Sequence, residues 1–201
     1  MCTHDSYYEK FQDGSVKCID NEIPFELANG WNWERLGNLS SVIQYGLNSS
    51  AKTNGSHRLL RITDIQNGKV IWENVPFTTI EDEVLYLLEE GDIVFARTGA
   101  TVGKSYLINS LPYPSVFASY LIRIRLLNGL SPKYLSFFFN SECYWNQIID
   151  KSVGSGQPNC NGTSLKNLLI PIPPHQEQIR ICDIINNTFQ IIINIEKSLL
   201  K

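Results

Sequence analysis

Polar and apolar positions alternate along residues 120–126. Tyr120, Ile122, Ile124 and Leu126 fall on one side, and Leu121, Arg123 and Arg125 on the other. A period of two predicts a strand, and two arginines side by side on one strand face belong at solvent or at an anion. Shorter β-prone runs come before it. "RLLRI" from Arg58, "KVIW" after the turn residues Gln66-Asn67-Gly68, 93–96 after Gly91-Asp92, and 105–108 after the tight connection 98–103 all predict strands. From Ser131 the period lengthens. Ser131-Pro132 supplies an N-cap and a first-turn proline, and Tyr134, Leu135, Phe138, Tyr144, Trp145 and Ile148 build the apolar side of one or two helices.

Near the C-terminus "LKNLLIPIP" predicts a last strand, and Pro173-Pro174 force a stiff, extended exit. Beyond them 175–201 suits a helix of about 40 Å at 1.5 Å per residue. Ile181, Thr188 and Ile195 occupy one heptad position, and Ile185, Ile192 and Leu199 the other. Such a seam leaves more apolar surface in water than a lone helix should, so a partner helix is expected. The resulting fold class is α+β: a curled, mostly antiparallel domain followed by a long C-terminal helix forming an antiparallel coiled coil with a partner. Three segments are expected: 1–30, a polar, acidic and partly disordered lead-in; 31–173, the domain, with Trp31, Trp33, Leu36 and Leu39 anchoring its start; and 174–201, a dimerisation helix.

Composition refines this picture. No run of eighteen uncharged apolar residues exists, and Asp5, Glu9 and Asp13 stand where a signal peptide would be basic and then apolar, so a cytoplasmic protein with no membrane contact is expected. The five cysteines are scattered without a CxxC, which indicates neither a disulfide framework nor a zinc site. The net charge of −3 is uneven: residues 1–34 hold seven acids against Lys10 and Lys17, so the remainder is slightly positive. Residues 93–141 carry Arg97, Lys104, Arg123, Arg125 and Lys133 and no acid, a span that can attract phosphates.

Catalytic motifs fail on inspection. "RTGATVGKS" has Thr98 where a phosphate-binding loop needs its first glycine; His175-Gln176-Glu177-Gln178 lacks a second metal-binding histidine; no Gly-x-Ser-x-Gly, glycine-rich cofactor loop or Asn-Pro-Pro-Tyr segment occurs. Neither catalytic nor metal-binding residues are expected. What remains suits duplex reading: amides that pair with adenine, Arg or Lys with guanine, and hydroxyls with phosphates. The loops 48–58, 97–104 and 152–161 are the candidates, with Lys52, Arg58, Arg97, Lys104, Arg123, Arg125, Lys151, Gln157 and Asn159 as contacts; Arg61 is expected to pair with Asp64 instead.

The ordered motifs "WNWERLGNL" (31–39), "LLRITDIQNGKV" (59–70), "LEEGDIVFARTGATVGKSYLI" (88–108), "SPKYLSFFFNS" (131–141) and "GSGQPNCNGTSLKNLLIPIPPHQEQIRICDII" (154–185) closely resemble the specificity (S) subunit of type I restriction-modification systems. The resemblance implies a noncatalytic, DNA-binding target-recognition domain whose Pro173, Pro174, Gln176, Glu177 and Gln178 form the junction to a conserved spacer helix. It also implies partners: double-stranded DNA, modification (methyltransferase) subunits, a restriction (motor and nuclease) subunit, and either a second copy of this chain or another specificity chain. S-adenosylmethionine, ATP and Mg2+ would belong to those partners and not to this chain. With one recognition domain and one terminal helix, the chain looks like a half subunit. The competing readings are a structural or regulatory module of the same fold without sequence-specific DNA binding, and an intrinsic nuclease, for which no Asp…Glu-x-Lys core is found.

Overall fold

The computed structural model describes residues 6–80, 85–152 and 159–200, the side chains of 150–152 excepted. β1 (Tyr8–Lys10) and β2 (Val16–Cys18) form a hairpin; β3 (Asn32–Arg35) leads through the short α1 (Leu36–Leu39) into β4 (Ser40–Tyr45). β5 (His57–Leu60), β6 (Ile65–Gln66), β7 (Lys69–Val70), β8 (Phe77–Thr78), β9 (Ile93–Ala96), β10 (Ser105–Leu107), β11 (Ser115–Phe117) and β12 (Leu121–Leu126) follow. Then come α2 (Pro132–Phe138), α3 (Glu142–Ser152), α4 (Gly162–Lys166), β13 (Leu169–Ile172) and α5 (His175–Leu199).

The largest sheet has the order β10-β9-β12-β4, antiparallel throughout. Alternation along its inner strands feeds two cores. Ile93, Phe95, Ile122 and Ile124 pack against Leu135 and Phe138 of α2, Phe139 at its C-cap, and Tyr144 and Ile148 of α3. Val94, Ala96 and Leu121 face the other way, onto Leu60, Trp72 and Phe117. A strand buried on both faces must carry apolar residues at every position, which is why β9 reads as the continuous run Ile-Val-Phe-Ala.

The curled sheet expected from the sequence is not what forms, although most described strand pairings are antiparallel. The described strands divide into separate sheets of four, three, two, two and two strands. None of these is closed, and β11 pairs with β5 in parallel. Apart from β4 and β12 no described strand exceeds four residues. Strands that short, each ended by a turn, cannot carry one continuous ladder around a barrel. The parallel pair arises because β6 to β10 intervene between its members, a crossover that a hairpin cannot make. The chain is an α+β domain with mixed sheets and a single long C-terminal helix.

The acidic lead-in is also more structured than its lack of period suggests. Arg35 donates to Glu9 at 2.9 Å, to Glu22 at 2.8 Å and to the carbonyl of Asn167 at 3.0 Å. These bonds clasp the β1–β2 hairpin to the start of β13. Phe25 adds an edge-on contact with Trp33 at 5.0 Å between ring centres.

At the other end Gln178 fixes the departure of α5. Its side chain, 2% exposed, accepts from the Ser131 amide at 3.0 Å and donates to the Pro173 carbonyl at 3.1 Å. The proline corner is thereby tied to the N-cap of α2, and Cys182, one turn on, is buried on the same side. From 187 to 200 every residue of the helix is exposed.

Candidate nucleic-acid interface

Four segments meet at Arg97, which leaves the end of the buried strand β9. Its amide donates to the Tyr120 carbonyl at 3.1 Å, and its carbonyl accepts from the Cys160 amide at 3.0 Å. Thr98 next to it bridges to Asn159. The guanidinium carbon sits 4.8 Å from the centre of the Tyr45 ring, and the Tyr45 hydroxyl in turn accepts from the Gly162 amide at 2.7 Å. The loop roots that the sequence singled out separately, 97–104 and 159–161, are therefore neighbours. Arg97 Nε is buried without a hydrogen-bond acceptor, and among the described residues no carboxylate pairs with the side chain.

A second cationic group lies at the opposite end of the β5–β11 pair. The Arg58 guanidinium stacks on Phe77, 3.8 Å from the ring centre, with Tyr113 at 4.9 Å. One terminal nitrogen of Arg58 donates to the Val75 carbonyl. Lys52 bridges to Phe77 through its backbone and leaves its side chain exposed, on a run, 50–56, that is exposed throughout. The excursion begins at Leu47, which pairs with Ala118 at the Arg97 end, so this loop spans both groups. Sequence reasoning missed Tyr45, Tyr113 and Tyr120, although Tyr120 is 61% exposed and Tyr45 42%. For Tyr45 and Tyr120 the available signal was an aromatic residue at a strand end beside a glycine or a serine; Tyr113, between two prolines, offered none.

Arg123 and Arg125 find their anion inside the protein. Arg125 binds Asp92 through Nε at 2.7 Å and Nη2 at 2.8 Å, and Glu89 at 2.8 Å. Arg123 is buried, donates to the carbonyls of Leu87 and Leu85 and to Gln44, and lies 4.0 Å from Asp92. Burial lowers the Arg123 guanidinium's affinity for its proton, with Asp92 opposing, whereas the hydrogen bonds to Asp92 hold Arg125 firmly protonated. Arg61 binds Asp64 at 2.7 Å, as its position suggested. Lys104 is exposed and Asn159 is exposed beside Thr98. Gln157 and the side chain of Lys151 lie outside the described residues.

The platform under this end is rigid. Tyr144 donates its hydroxyl to the Gly103 carbonyl at 2.5 Å and Tyr134 to the Pro171 carbonyl at 2.6 Å, and burial raises both hydroxyls well above the ordinary phenol value. No cluster of three or more His, Cys, Asp or Glu able to hold a metal occurs among the described residues. Cys18 is disulfide-bonded, which the scattered cysteines had not indicated; Cys143 and Cys182 are free thiols. No described helix is long and apolar enough to cross a membrane.

Along α5, Ile181 and Ile185 are half-buried on the side of α2, while Thr188, Ile192, Ile195 and Leu199 project into solvent together with Ile184, Phe189, Ile191 and Ile193. At the junction Pro173 and Gln178 are buried, Glu177 binds Arg180 at 2.5 Å, and Pro174 and Gln176 are exposed.

Residues 32–201 match the type I restriction modification DNA specificity domain. Similar curated proteins include the type I restriction enzyme EcoAI specificity subunit of Escherichia coli, 32% identical over 170 residues, 81% of this chain and 29% of that one. Another is the EcoKI specificity subunit of Escherichia coli strain K12, 28% identical over 163 residues, 77% of this chain and 35% of that one. The chain spans about a third of the length of these relatives. Among solved structures the HsdS subunit from Thermoanaerobacter tengcongensis superposes with a TM-score of 0.65 at 19% identity, over 87% of this chain and 41% of that one. An S subunit from M. genitalium gives 0.56 at 15% identity, over 86% of this chain and 43% of that one. Both likenesses concern the fold.

Proposed function

This chain belongs to the type I restriction modification DNA specificity domain family, and from that premise we propose that it is a noncatalytic DNA reader, a single recognition domain carrying one spacer helix. It directs adenine methylation by modification subunits, and cleavage by a motor and nuclease subunit, to one DNA sequence. The observation that carries this reading is the contrast among its arginines. Arg123 and Arg125 are neutralised internally by Asp92, whereas Arg97 and Arg58 sit on tyrosine and phenylalanine rings without an ion pair among the described residues. Unpaired cations beside aromatic rings at loop roots suit phosphates and base edges. Lys52, Lys104 and Asn159 on the adjoining loops complete the proposed contact set.

The bare apolar face of α5 beyond residue 187 serves as an assembly surface, for a second copy of this chain or for another specificity chain. Two readers joined this way would recognise a split target. A pair of identical chains requires two related half-sites; a mixed pair does not.

The test is to reconstitute the chain with its modification subunits and map methylated adenines across a bacterial genome. One recurring sequence context is the expected result. Methylation without sequence preference, or an unchanged pattern when the chain is left out, would overturn the reading in favour of a structural or regulatory role.

A further inference from the structure

Resting on that reading, we infer that Arg97 is a recessed phosphate anchor that sets the register of the duplex, a role distinct from reading bases. Three observations point this way. The first is depth. Arg97 follows directly on the wholly buried strand β9 and is itself half-buried, with Nε enclosed, so only the tip of the guanidinium reaches outward. A major groove is about 8.5 Å deep, and a side chain sunk to its Nε cannot lower its terminal nitrogens to base edges at the groove floor. A backbone phosphate stands at the rim and comes to it.

The second observation is fixity. Backbone bonds on both sides of Arg97, to Tyr120 and Cys160, hold its Cα, and the Tyr45 ring holds the plane of the guanidinium. Tyr45 is held in turn by the Gly162 amide. An anchor of this kind loses little freedom on binding, and a planar fork suits the paired oxygens of a phosphate. The third is charge. The positive guanidinium has no carboxylate among the described residues, and the enclosed Nε has given up water for no acceptor, so an anion arriving at the tip meets an uncompensated cation. The exposed run 50–56 is left to approach the groove.

The test uses the complex assembled with modification subunits, with its preferred duplex selected from a randomised pool, and binding followed by anisotropy across a salt series. If the assembled wild type shows no preferred duplex, the DNA-reading function itself fails, separately from this inference. Given a wild-type preference, Arg97→Ala is expected to weaken binding about tenfold at physiological salt. It should also reduce the slope of log affinity against log salt by about 0.9, one phosphate's worth. The selected sequence should stay the same. Arg97→Lys, which keeps the charge, should restore the slope with only partial recovery of affinity, and it guards against a folding defect in the alanine variant. An unchanged slope, or lost preference at a single base pair, would overturn the assignment.

Discussion

Asp92 accepts both Nε and Nη2 of Arg125, at 2.7 and 2.8 Å, while 1% of its own surface meets solvent. It also accepts from the Glu89 amide at 2.9 Å and stands 4.0 Å from the buried Arg123. One carboxylate thus serves two cations on the strand that runs through the middle of the main sheet.

Asp92→Asn keeps the shape and removes the charge, leaving Arg123 and Arg125 without a buried anion. Breaking a buried pair on one side is the costly case, so the domain should lose about 3 kcal/mol. Urea unfolding at neutral pH checks this. A loss below about 1 kcal/mol would mean that the carbonyls of Leu85 and Leu87 and the carboxylate of Glu89 already satisfy both arginines.

That pair also marks where sequence reading reaches its limit. The alternation at 121–126, the run 93–96, the change of period at Ser131 and the helix after Pro174 are all legible, because each is a local pattern that the backbone imposes on its own residues. Pairing is not local. The parallel neighbours β5 and β11 lie far apart in the chain, and nothing in either run of three or four residues names its partner. The same gap affected the site. Two arginines on a strand announce an anion, but whether it is a phosphate or Asp92, some thirty residues earlier, depends on the fold. Arg97 gave no sign that Tyr45 would lie beneath it.

Glycine 103 offers a second test of the rigid platform. Its φ of +90° disfavours any side chain, and a Cβ there would come within 2.5 Å of Trp145. Gly99, at φ +72°, has nothing within 4 Å of the equivalent position. Gly99→Ala should therefore cost about 1 kcal/mol, the backbone strain alone. Gly103→Ala should cost at least about twice that, since Trp145 must also move. Thermal unfolding of the two variants side by side decides it, and equal losses would contradict the packing argument.

Acidification should loosen the lead-in before the core. The Glu22 carboxyl is held below the usual carboxylate range, chiefly by the hydrogen bond from the Lys17 ammonium and further by Arg35, with burial opposing. A depressed folded value means that its stabilisation is fully present above the ordinary carboxylate value and is lost as pH falls through the folded one. Both partners are partly exposed to solvent screening, so the contribution is under about 1 kcal/mol. Amide exchange in 6–24, corrected for the intrinsic exchange rate at each pH, should accelerate below about pH 4. Glu22→Gln should accelerate it already at neutral pH and flatten the dependence; exchange that ignores both changes would show that the hairpin does not rely on Arg35.

The two ends of α5 should respond to mutation in different ways. Gln178 is enclosed and bonded at both ends of its amide, so Gln178→Leu strands the Ser131 amide and the Pro173 carbonyl and should destabilise the domain by about 2 kcal/mol. Ile192 and Ile195 are 45% and 52% exposed and lie on the stretch of α5 that is exposed throughout. Ile192→Asp with Ile195→Asp should leave thermal unfolding of the dilute domain within about 0.5 kcal/mol of wild type. If the apolar face is an assembly surface, the same double variant must lose self-association, because two buried charges facing apolar neighbours cost several kcal/mol. Light scattering over a concentration series distinguishes the cases. A double variant that still associates like wild type would place the contact elsewhere, and one that unfolds the dilute domain would mean that the distal helix packs on its own body after all.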